Sequence, residues 1–295
     1  MKKVVRSGFA GRRKVAVLLG AALIAVAVSA TALTNILSTS STGSSTPKSA
    51  VTIQKSGNAG SVPTQQASTA PQIWVFAYSH FDQVFGAPGV PQKLAGDTIY
   101  EVVTETQTPS TLMPVIPTLD FHSYADMQTA LQGPIPSDIK AVLYDNERYA
   151  NTPLIEQQNP VTYTNKAIAL AHAHGLKIIC DYIQPSRYPG GYTPNCDVIG
   201  LNTVQQSERT STIYASKVQK IMTAIRLANP NVPVVSGLSS NPVGTPVTSA
   251  ELTASIDATR GLVQGYWLNV PAPGVGCPLC NLPQPQIAIG ALLAM

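Results

Sequence analysis

In KAVLYDNERYANTP, Lys140 to Pro153, an apolar run ends on two carboxylates, Asp145 and Glu147, two positions apart. On an extended strand such residues share a face about 6.5 Å apart, which overlaps the spacing of paired carboxylates in glycoside hydrolysis. A charged neighbour holds the other carboxyl protonated, as a general acid requires near neutral pH. On this reading Glu147 donates the proton and Asp145 orients or tunes it. Asp181, ending the run LKIICDYI, is the rival second carboxylate. The plain alternative is a polar strand terminus, with Glu147 paired to Arg148 or another surface cation.

Other polar and aromatic residues stand at the ends of similar runs: Tyr78, Tyr182, Asn202, and Trp267 with Asn269. Amides and carboxylates suit sugar hydroxyls, and indole or phenol rings suit the C–H faces of a sugar. These residues are the candidate substrate contacts, with core packing as the competing role for Trp267 and packing or rim positions for Tyr78 and Tyr182. His80 and His122 fall at strand–loop junctions without metal-ligand spacing, and no metal or cofactor is expected. His172 and His174, two apart on a helix, point in different directions. No GxSxG elbow is present, which argues against that type of serine hydrolase.

These residues need a scaffold that brings strand ends together. Eight β-rich runs cover 73–79, 98–105, 113–119, 140–147, 176–183, 197–204, 232–238 and 263–270. Most are apolar on both faces, as parallel strands under helices are. Pro114 and Pro117 weaken the third. Helical patterns separate the later runs. VTYTNKAIALAHAHG ends on Gly175, TSTIYASKVQKIMTAIRLANP carries Ile213, Val218, Ile221, Met222 and Ile225, and TSAELTASIDATRG opens with Thr248 and Glu251 at capping-box spacing. This α/β alternation predicts a (β/α)8 TIM-barrel-like single domain over 73–295, with an irregular first third, whose chemistry lies at the strand C-termini. An open doubly wound parallel sheet is the alternative. No Gly-rich phosphate loop supports a nucleotide-binding version of it.

Residues 1–33 combine a basic start (Lys2, Lys3, Arg6, Arg12, Arg13, Lys14) with an apolar run and small residues at a cleavage site, the layout of a signal peptide. An uncleaved signal anchor is the second option and the one expected membrane contact. Residues 34–72 are Ser/Thr/Pro/Gly-rich and read as a disordered linker. The formal charge of +4 misleads. Of 19 Lys and Arg, six lie in the signal and two in the linker, leaving 11 against all 15 acidic residues. The domain is mildly acidic, so a nucleic-acid surface is not expected. Four cysteines in an exported chain predict disulfides, paired by proximity as Cys180–Cys196 and Cys277–Cys280. CPLC as a redox dithiol is the weaker reading, because it sits in a Pro/Gly-rich loop. A four-Cys zinc site lacks its second CxxC pair.

The segments GLSSNPVGTPVTSAEL, VQGYWLNVPAPGVGCPLC and YDNERYANTPLIEQQNP resemble a group of uncharacterised secreted bacterial proteins with a barrel-like, glycoside hydrolase-like domain. A more distant likeness is to barrel glycosidases of the chitinase type. It implies an acidic strand-end motif finishing on the catalytic Glu, here Glu147, and a Trp near the last strand flooring the sugar site, here Trp267. The chain departs from that motif at Leu143, where the family has an additional Asp. The resulting expectation is a secreted glycoside hydrolase-like protein acting on a polysaccharide or cell-wall glycan. A non-catalytic glycan-binding barrel is the alternative.

Overall fold

The eight apolar runs form eight parallel strands, and the first pairs with both the second and the last, closing a barrel in the order β1 to β8. The computed structural model describes residues 71–77, 81–104, 107–146, 152–182, 194–202, 208–273, 277–280 and 282–295. All belong to the second of the chain's two units, Val62–Met295. The expected export segment, Tyr78, His80 and Glu147 lie outside the described residues. The strands are β1 (Ile73–Ala77), β2 (Thr98–Val103), β3 (Ile116–Phe121), β4 (Ala141–Tyr144), β5 (Lys177–Asp181), β6 (Val198–Leu201), β7 (Val234–Ser239) and β8 (Gly265–Asn269). Closure removes the open-sheet alternative.

The two-residue period of each strand sorts its side chains. Val75, Tyr100, Val102, Ala141, Leu143, Ile179, Val198, Val235 and Trp267 fill the barrel interior as one buried cluster. Their chain neighbours, such as Trp74, Phe76, Val142, Tyr144, Ile178 and Leu268, face outward under the helices. Both faces are dry, which explains the near-continuous apolar composition of the strands.

Pro117 sits inside β3 at no cost to the ladder. Lys140 N donates to its carbonyl (3.1 Å), so its nitrogen faces the β4 side at a level before the first paired residue, Ala141. The β2–β3 connection contains no helix among the described residues, which matches the irregular early third. Around the barrel lie α1 (Phe81–Phe85), α2 (Val90–Lys93), α3 (Tyr124–Gln132), α4 (Leu154–Gln158), α5 (Pro160–Ala173), α6 (Ser211–Ala228), α7 (Ser249–Thr259) and α8 (Pro285–Ala294).

Gly175 follows α5 at φ 69°, the left-handed position a C-terminal cap uses. Thr248 and Glu251 form both halves of a capping box on α7. On α6 the buried stripe is Tyr214, Val218, Met222 and Ile225, whereas Ile213 is exposed. Tyr214 takes the inner position because its hydroxyl donates to Gly237 O (2.8 Å) and meets Ser236 Oγ (2.7 Å) on β7. Disulfides join Cys180 to Cys196 and Cys277 to Cys280, the pairing expected from proximity. No helix among the described residues is long and apolar enough to cross a membrane.

Candidate active site at the C-terminal mouth

Three strand ends place carboxylates on the lumen face. Asp120 follows Thr118 on β3, Asp145 follows Leu143 just beyond β4, and Asp181 ends β5, each two residues after an inward neighbour. The β4–β5 register pairs Tyr144 with Cys180, so Asp145 and Asp181 are the next opposed pair. Asp145 N–H donates to Phe121 O (3.0 Å), which carries the β3–β4 ladder up to this level. Asp145 and Asp181 are each 1% exposed.

Asp181 belongs to a polar chain across the mouth. Its Oδ1 accepts from Asn202 N (3.4 Å), Asn202 Oδ1 accepts from Asn269 Nδ2 (3.4 Å), and Asn269 Oδ1 accepts from Trp267 Nε1 (2.9 Å). The chain links β5, β6 and β8, crossing β7 at a glycine. A Cβ on Gly237 would stand 2.7 Å from Leu201 O and 2.9 Å from Asn202 Cα. Gly200 does the same for Trp267, whose ring would meet a Cβ there at 2.6 Å. Trp267, expected as a sugar platform, is 1% exposed and fills the barrel below the mouth. Tyr182, also 1% exposed, packs outward with the helix-side core. Neither ring offers an open face to a sugar in this structure.

The opening stretch has a structural anchor downstream. Glu156 of α4 is buried and accepts from Tyr124 N (2.7 Å), Ala125 N (3.2 Å) and Tyr144 OH (3.1 Å). It stabilises the N-terminus of α3, where unpaired N–H groups favour an anion. Thr152 Oγ1 donates to His122 O (2.7 Å). Thr152 and Glu156 are thereby fastened to β3 and α3.

Two further groups stand at the mouth: His122, expected only as a strand–loop junction residue, and Glu208, not singled out in the sequence. His122 stands between acids, with Nε2 3.9 Å from Asp120 Oδ2 and Nδ1 3.7 Å from Asp145 Oδ2. The available signal was the Asp-Phe-His spacing, which shares a strand face. It was hidden because the third run was ended at 119, and β3 continues to Phe121. Glu208 is fully buried shortly before α6, with Oε1 accepting from Ser239 N (2.5 Å). Ser240 N bonds to Asn269 O on β8, so Ser239 N faces the β6 side, where strand pairing has ended at Leu201 opposite Ser236. Glu208 takes over as acceptor there. Burial pushes its carboxyl up to about 9, against opposing pulls from N–H donors and Arg209. It is a neutral acid at physiological pH. No local motif announces it.

No family model matches the sequence, and no curated protein matches it. The resemblances seen in the sequence therefore rest on the quoted motifs. Among solved structures, the chain is similar to a Rhizomucor miehei beta-1,3-glucanosyltransferase mutant in complex with laminaritriose (11% identity, 68% of this chain and 86% of that chain, TM-score 0.42). It is similar to Aspergillus clavatus Sph3 in complex with GalNAc (13%, 76% and 98%, 0.40) and to the YdjI aldolase of Escherichia coli K12 (11%, 68% and 74%, 0.40). Likenesses this distant say nothing about activity, and the barrel assignment rests on the strand pairing.

Proposed function

We propose that this is a secreted glycoside hydrolase-like protein that cleaves an extracellular polysaccharide by carboxylate acid/base chemistry. The observation that carries the reading is the in-register placement of Asp145 and Asp181 on the lumen side of neighbouring strands at the barrel's C-terminal end. Adjacent strands lie about 4.8 Å apart, close to the roughly 5–5.5 Å separation of carboxyls in retaining glycosidases. Asp181, held by Asn202 N–H, is the charged partner that faces the developing positive charge of the sugar. Glu147, two residues beyond Asp145, is the proton donor, and Asp145 sets its orientation. Asn202 and Asn269 supply amide contacts to hydroxyls. Trp267 acts by holding Asn269 Oδ1. Two disulfides suit the oxidising environment of an exported chain.

The test is reducing-end release from a panel of polysaccharides by the full chain beside Glu147→Gln and Asp181→Asn, with binding followed in parallel. Loss of release by about 10²–10⁴-fold in either variant, with binding retained, is the expected outcome. Binding without release by the wild type would overturn the catalytic reading and leave a glycan-binding barrel.

A further inference from the structure

We infer that Asp120, His122 and Asp145 form a binding site for a divalent first-row transition metal at the mouth of the barrel. One donor atom from each residue lies within 4.8 Å of the other two. The site goes beyond the glycosidase reading, since a carboxylate mechanism needs no metal.

The geometry differs from an ordinary ion-pair cluster. A direct imidazole–carboxylate bond closes to about 2.7–2.9 Å, and the same molecule contains one near that distance, His172 Nε2 to Asp197 Oδ2 at 3.0 Å. Around His122 the two carboxylate oxygens stop at 3.9 and 3.7 Å. Donors bonded at about 2.0–2.2 Å to one ion stand roughly 3–4 Å apart, so the Nε2–Asp120 Oδ2 separation fits an edge of a coordination polyhedron better than a closed pair, while the Asp145 contact is to the other ring nitrogen.

The tautomer is consistent with this. His122 Nδ1 lies 3.3 Å from the carbonyl oxygen of Asp145. A carbonyl only accepts, so a bond there requires the hydrogen on Nδ1. That leaves the lone pair on Nε2, the nitrogen facing Asp120. Metal-binding histidines are oriented by such a second bond.

The frame is also rigid. Asp120 lies within β3, His122 one residue beyond that strand, and Asp145 is tied back to it through Phe121 O. Thr152 Oγ1 holds the His122 carbonyl from the far side. The donors are thus set by sheet register.

One nitrogen and two carboxylate oxygens suit manganese, iron, cobalt or zinc better than calcium or magnesium, which favour all-oxygen shells. Three protein donors leave positions open for water or a ligand hydroxyl. The site shares Asp145 with the proposed catalytic pair, so a bound ion would sit beside it and draw on its charge.

The experiment titrates the chelator-treated full chain with Mn²⁺ and with Zn²⁺ by calorimetry, without glycan. Electron paramagnetic resonance of the Mn²⁺ sample reads coupling to an imidazole nitrogen. One saturable site is expected, weakened at least about tenfold in His122→Ala and in Asp120→Asn, and unchanged in His172→Ala. Circular dichroism checks that each variant folds, and the nitrogen coupling is measured on the wild type, so the result survives a misfolded variant. No saturable binding up to about 1 mM, binding that persists in His122→Ala, or no nitrogen coupling would overturn the site. Because the readout needs no turnover, failure here leaves the glycosidase reading standing, and failure of hydrolysis leaves the metal site standing.

Discussion

Glu208 is neutral because its surroundings cannot solvate a charge, and this has a measurable consequence. Its carboxyl titrates near 9 in the folded protein, against about 4.3 when unfolded. The folded state therefore keeps a proton that the unfolded state releases. Its contribution to stability is fully present below about pH 4.3 and declines as pH rises toward 9, by up to about 1.4 kcal/mol per pH unit. Glu208→Gln retains an acceptor for Ser239 N–H and does not titrate. Chemical denaturation at pH 6, 7, 8 and 9 should show the variant gaining stability relative to wild type at each step. A constant difference across that range would mean the buried carboxyl is not protonated. Asp181 differs, because it accepts an N–H at the mouth and its loss in Asp181→Asn is read in hydrolysis.

At the scale of elements, β6 and β7 succeed by omission. Gly200 admits the Trp267 ring and Gly237 admits the Asn202 backbone, so two glycines free the space that the polar chain crosses. Gly237→Ala presses a methyl onto backbone atoms of β6, which cannot move aside as a flexible side chain would. A loss of about 1–3 kcal/mol is expected from such overpacking, read from urea midpoints, together with weaker ligand binding as Asn202 shifts. An unchanged midpoint would show that β6 yields freely. The capping box on α7 is the local counterpart. Thr248→Ala removes the acceptor for Glu251 N–H and should cost about 1 kcal/mol in the same measurement.

The described residues form a barrel in which a covalent link ties β5 to the start of β6. Cys180, at the outward face of β5, is tied to Cys196 just before β6, 16 residues on. Cys277 and Cys280 are three apart and close a much smaller loop, with Cys280 Sγ 3.7 Å from Asn241 O. Chain entropy ranks the first as the larger contributor, about 3 kcal/mol. The Cys180→Ser/Cys196→Ser double variant should lower Tm by roughly 6–12 °C for a domain of this size, and the Cys277→Ser/Cys280→Ser variant by less. Calorimetric scans compare them, and an equal loss would show that strain or packing, not loop length, sets their worth.

The fold class, strand order and disulfide partners were legible along the chain because they rest on local pattern: apolar runs of strand length, helical periods between them, and cysteines close in sequence. The capping box of α7 and the left-handed Gly175 were legible for the same reason, since neighbours in the chain satisfy them. Barrel closure was expected from the strand–helix rhythm but not separated from the open-sheet alternative, because it requires Ile73–Ala77 to pair with Gly265–Asn269 across the length of the domain. The site divides likewise. Asp145 and Asp181 announce themselves at strand ends, but their opposition is a property of cross-strand register. His122 joins Asp145 only when β3 runs two residues further, and Trp267 is interior only because Gly200 leaves room. Which residues could do chemistry was determined by the sequence alone. Which of them meet was decided by the tertiary structure, because contacts between distant positions depend on pairing and packing that no local window contains.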